Sequence, residues 1–71
     1  MKEFKLRDED DFIKLGQLLK AVNFAGSGVE AKMMILDGKI RVNDSVVIER
    51  GKKIREGDIV SFGSEKIKVV K

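Results

Sequence analysis

At Gly38 the spacing of the apolar residues changes, and that change decides the fold class. Before it, Leu15, Leu18, Leu19 and Val22 recur at i, i+3, i+4 and i+7, the spacing of one helix face. After it, Ile40 and Val42 alternate with Lys39 and Arg41, the period of a strand with one buried face. Gly38 suits the junction, because glycine ends a helix in the left-handed conformation at little steric cost. Helices followed by strands define an α+β chain. The expected architecture is a helix-turn-helix packed on a small, mostly antiparallel, twisted sheet.

The first helix is expected over about Lys14 to Val22, with Asn23 as a left-handed stop. Gly16 inside it costs on the order of 1 kcal/mol relative to alanine, which points to close packing or a nearby ligand. The second helix opens on Ser27-Gly28-Val29-Glu30, a capping box in which the serine hydroxyl accepts an early amide and the glutamate reaches back. Ala31, Met34 and Ile35 form its inward face, and Val29, Met33 and Leu36 a second apolar stripe. A helix apolar on two sides is usually covered on both. The alternating segment Glu3 to Arg7 reads as a strand that joins the sheet or covers this stripe through Phe4 and Leu6. Downstream, Asn43-Asp44 is a tight-turn signal, with Val46, Val47 and Ile48 as the returning strand. Arg50 to Lys53 forms a basic loop, and Glu56-Gly57-Asp58 a second turn. Ile59 to Phe62 and Lys66 to Val70 form a last hairpin.

Seventy-one residues allow one domain, over 1–71, near the lower limit at which an apolar core suffices alone. Without cysteine there are no disulfides and no cysteine zinc sites, and without histidine the commonest metal ligand is missing. No apolar run approaches the roughly 20 residues of a membrane span, and the N-terminus lacks the apolar stretch of a secretory leader. These features set the expectation of a cytoplasmic monomer with no membrane partner. Catalysis is not expected. There is no His, Cys or Tyr, and Ser45 and Ser61 have no evident base. Gly26-Ser27-Gly28-Val29-Glu30-Ala31 fits the loose dinucleotide pattern, but a helix precedes it where that motif needs a strand. It reads as a helix–helix turn ending in a cap, so neither cofactor nor metal is expected.

The charge is divided unevenly. Residues 1–11 carry three basic and five acidic side chains, a net −2, and the other sixty carry twelve and seven, a net +5. With an isoelectric point near 9.3, a polyanionic partner follows as a hypothesis. Lys14 and Lys20 on the first helix, Lys32 on the second, Lys39 and Arg41 on the hairpin, and Arg50, Lys52 and Lys53 after it are expected to gather on one face. The aromatics, Phe4, Phe12, Phe24 and Phe62, are each placed to serve the core. That disfavours base stacking on single strands and favours recognition of folded RNA by phosphate and shape.

The order of elements over residues 14–62 resembles the RNA-binding domain named after ribosomal small-subunit protein S-four, also called the alpha-L motif. The resemblance rests on Lys14-Leu15-Gly16-Gln17-Leu18-Leu19, on Ser27 with Ala31-Lys32, on Gly38-Lys39-Ile40-Arg41-Val42-Asn43, and on Lys53 to Val60. With Arg50-Gly51-Lys52-Lys53 added, the chain is similar to the short stand-alone bacterial members, the YaaA/YbcJ type. The resemblance implies non-catalytic binding of structured RNA, ribosomal RNA being the expected kind, with a role in ribosome assembly or translation. Carried over by position, the contacting residues are Lys14, Ser27, Lys32, Lys39, Arg41 and Asn43, with Lys52 and Lys53 as further phosphate contacts. In many members Arg stands where this chain has Gly28, and Gly where it has Asp44. The alternative reading is a protein-interaction adaptor using Val29, Met33 and Leu36.

Overall fold

The computed structural model describes all 71 residues. Strand β1 (Lys2–Lys5) comes first, and β2 (Ile13–Lys14) runs directly into helix α1 (Leu15–Ala21). Helix α2 (Gly28–Leu36) follows, then β3 (Ile40–Val42), β4 (Ser45–Val46), β5 (Lys53–Ile54), β6 (Ile59–Phe62) and β7 (Glu65–Val70). The five-stranded sheet has the order β1-β7-β6-β3-β4, antiparallel throughout except for the parallel pair β1 and β7. β2 and β5 pair antiparallel as a separate ribbon.

Both helices end in the same way. After α2, Gly38 at φ +74° donates to the Ile35 carbonyl at 3.0 Å, and Lys39 donates to that of Met34 at 3.2 Å. After α1, Asn23 at φ +63° and Phe24 repeat the pattern on Lys20 and Leu19. These paired bonds satisfy carbonyls left open at a helix end. At the start of α2, Ser27 Oγ accepts from the Glu30 amide at 3.1 Å. Glu30 Oε1 reaches one residue past the cap to accept from Gly26 N, also at 3.1 Å. Asn43 and Asp44 both lie at positive φ, 51° and 70°, the hairpin geometry in which glycine is at ease.

Between the helices and one face of the sheet lies the core. Leu15, Leu18 and Leu19 of α1 and Ala31, Met34 and Ile35 of α2 meet Ile40, Val42, Val60 and Val69, with Leu6 and Ile54 closing the ends. Phe24 and Phe62, with ring centroids 5.6 Å apart, join the turn after α1 to the sheet.

Two expectations are corrected, and one choice is decided. Of the two places open to the N-terminal strand, it takes the sheet and does not cover α2. It lies along β7, with Phe4 beside Val69 and the Leu6 amide donating to Val70 at 2.8 Å. The open edge of β7 supplies a row of backbone partners that a helix surface cannot. Val29, Met33 and Leu36 therefore stay 70, 59 and 58% exposed. The strand opposite β3 also runs over Ser45–Val46 rather than Val46 to Ile48, its last bond to β3 passing from Val47 N to the Ile40 carbonyl at 3.1 Å. Finally, Phe12 does not pack on the core, although Phe4, Phe24 and Phe62 do.

Candidate nucleic-acid interface

Lys14, Gln17 and Lys20 recur every three residues along the wet side of α1. Lys14 is the residue that caps this helix. Its backbone is extended and its side chain makes no capping bond, which leaves the ammonium to solvent. The first amides of α1 are satisfied instead by the loop after β4: Leu15 N donates to the Lys52 carbonyl and Gly16 N to that of Arg50, each at 2.9 Å. A Cβ on Gly16 would lie 3.5 Å from the Arg50 oxygen, an ordinary contact. The glycine thus sits where the loop backbone closes on the helix.

This docking creates a groove of about 240 Å³ between α1, the loop and the start of α2. Its walls are Lys14, Lys20, Arg50 and Gln17, with Gly16, Gly28 and Gly51 between them, and it holds neither an apolar side chain nor a carboxylate. The ion pairs of the chain lie elsewhere, Arg7 with Glu9 and Asp10, and Lys71 with Asp11. Three uncompensated cations around a concave polar surface raise the local potential and favour a phosphate-bearing ligand. Gly28 leaves that side open, since a Cβ there would meet nothing within 4 Å.

The residues implied by the family fall in several places. Lys14 lines the groove, and Lys32 lies exposed one helical turn beyond Gly28. Lys39 and Lys52 are exposed in the connections flanking the hairpin. Lys53 pairs with Lys14 across the β2–β5 ribbon, and its Nζ sits 5.0 Å over the Phe12 ring. Arg41 is not gathered with them. In register with Ser61 and Lys66, it occupies the sheet face away from the helices, while Ile40 and Val42 point into the core. Ser27 and Asn43 already have partners in the chain. Asn43 Nδ2 donates to Asp58 Oδ1 and its Oδ1 accepts from Ile59 N, both at 3.0 Å. Lys20 and Arg50 belong to the basic set but not to the positions carried over, and Gln17 to neither. The i, i+3 repeat from Lys14 marks two of them, whereas Arg50 arrives through a backbone contact 34 residues away in sequence. No group of three or more His, Cys, Asp or Glu is placed to hold a metal ion, and no helix is long and apolar enough to cross a membrane.

Two helices packed on a mostly antiparallel sheet agree with the architecture expected from the order of elements. A family model of the S4 domain matches residues 4–70, and the chain belongs to that family. Among its relatives is an Escherichia coli K12 protein named "Putative RNA-binding protein YbcJ", 34% identical over 58 residues that make up 82% of this chain and 83% of that one. Another is "Probable ribosome maturation protein RlbA" of Bacillus subtilis, 37% identical over 59 residues, 79% of this chain and 83% of that one. The solution structure of Escherichia coli YbcJ, described as revealing an alpha-L motif involved in RNA binding, matches with a TM-score of 0.72 at 32% identity. That match covers all of this chain and 89% of the other.

Proposed function

We propose that this chain binds structured RNA without catalysing a reaction on it, that the RNA is ribosomal, and that it acts as a cytoplasmic monomer in ribosome maturation. The observation that carries the reading is the groove in which Lys14, Lys20 and Arg50 converge with no acid among them. The names of the two relatives, one for RNA binding and one for ribosome maturation, support it. Titration of ribosomal RNA fragments at several salt concentrations tests it. Replacing Lys14, Lys20 and Arg50 together by Gln is expected to lower the magnitude of the salt slope by about 2.1 to 2.7, at 0.7 to 0.9 for each of three phosphate contacts. Melting curves control for folding. Lys32→Gln and Arg41→Gln, made separately, extend the test beyond the groove, and an unchanged slope removes that residue from the interface. Wild-type binding that ignores salt overturns the reading.

The exposed stripe of Val29, Met33 and Leu36 favours a second reading, docking of a protein partner. Sedimentation is expected to show a monomer. A dimer dispersed by Met33→Lys would support the adaptor instead.

A further inference from the structure

Phe12 is an aromatic without a structural duty. It is half-buried, stands apart from the apolar core, and carries Lys53 Nζ at 5.0 Å and Arg55 Cζ at 5.6 Å from its ring centroid. It also lines the larger concavity of the molecule, about 860 Å³, between the N-terminal segment and α1. That volume lies in the range of roughly 300–1,000 Å³ typical of small-ligand sites. Phe4, Ile13 and Ala21 give this cavity an apolar floor beside the ring. Its charged lining is balanced, since Lys5, Arg7 and Lys20 stand against Glu9, Asp10 and Asp11. Each of those acids is already in an ion pair.

Gln17 and Lys20 line both this cavity and the basic groove, so the two hollows adjoin along α1. A second link runs through the ribbon. Phe12 and Lys14 flank Ile13, which packs on the core, so both turn to the opposite side, where Lys53 stands across from Lys14. One hollow is part apolar and aromatic with its acids in ion pairs, and the other carries Lys14 and Arg50, with Lys20 at the boundary they share. A nucleotide divides its chemistry in the same way, with a neutral flat base and an anionic phosphate.

We propose that the Phe12 cavity receives one unpaired base of the bound RNA, stacked on the Phe12 ring, while the adjoining phosphate sits among Lys14, Lys20 and Arg50. The inference rests on the RNA-binding reading and sharpens it, since the preferred ligand becomes a duplex interrupted by an unpaired nucleotide. Lys53 and Arg55, whose cations lie over the ring, are displaced from it by the base and meet the next phosphates of the same strand.

The test compares an RNA duplex carrying a single bulged nucleotide with the same duplex lacking it. Wild type is expected to bind the bulged duplex about tenfold more tightly, within the span of one base–aromatic stack. Phe12→Leu is expected to bind both duplexes as wild type binds the uninterrupted one, with an unchanged salt slope and an unchanged melting curve. Phe12→Tyr, which keeps a ring, retains the preference. Equal affinity of wild type for the two duplexes, or a preference that survives in Phe12→Leu, overturns the base site and leaves the RNA reading standing. Failure of wild type to bind either duplex overturns both.

Discussion

Asn43, a position implied for RNA contact, also has a structural duty. Its position in the family pattern implies RNA binding, yet its amide bridges Asp58 and the Ile59 backbone while its own backbone holds φ +51°. Asp58 completes the latch by accepting from Arg55 N at 2.8 Å. The residue therefore ties the β3–β4 turn to the turn before β6. Asn43→Ala loses both bonds and places a Cβ without compensation in the left-handed region. It is expected to destabilise the fold by about 1–3 kcal/mol, from hydrogen bonds and backbone together. Asn43→Gly restores the backbone freedom but not the bonds, so its loss in a denaturant titration should be the smaller of the two. Equal melting of all three proteins would release Asn43 from this structural role and leave it free for RNA.

Among the elements, legibility follows sequence distance. The start of α2 could be read because a capping box closes over three residues, and its end because Gly38 suits the left-handed conformation in which many helices stop. The β2–β5 ribbon was not legible. It has two residues a side, and it sets Lys14 opposite Lys53, an unfavourable like-charge pair. What holds it is the opposite face, where Ile54 is fully buried and Ile13 packs on the same core. The groove inherits that difficulty. Its α1 half is a three-residue repeat, but its other wall depends on Arg50 reaching Gly16. β1 is the further case, since alternation predicts a strand without saying which edge it joins. Deleting residues 1–7 should remove Leu6 from the core, a loss of about 1.5–3 kcal/mol for one buried leucine, and strip the edge of β7. Sedimentation of the truncated chain is expected to show association through that edge, unaffected by Met33→Lys. Association abolished by Met33→Lys would shift the adhesive surface to α2.

For the whole molecule, charge was more legible than its arrangement. The sequence separates an acidic first segment from a basic remainder, and the fold then spreads the cations over two surfaces. Lys14, Lys20 and Arg50 ring the groove, while Arg41, Lys66 and Lys68 lie on the outer face of the sheet. Three acids of the first segment, Glu9, Asp10 and Asp11, stay together at the lip of the Phe12 cavity, held by Arg7 and Lys71. An extended anion finds balanced charge at that end and uncompensated cations at the groove, so the favoured approach is from the groove side. The parallel pairing of β1 with β7 has a consequence in time as well. Lys2 finds its partner at Ile67 and Leu15 at Lys52, so the groove can close only after the loop before β5 is made, and β1 can pair only after β7. Such long-range closures slow folding relative to local ones. At roughly 5–20 residues per second, the first strand waits several seconds for its neighbour. β1, the first strand made, is thus the last that can be seated.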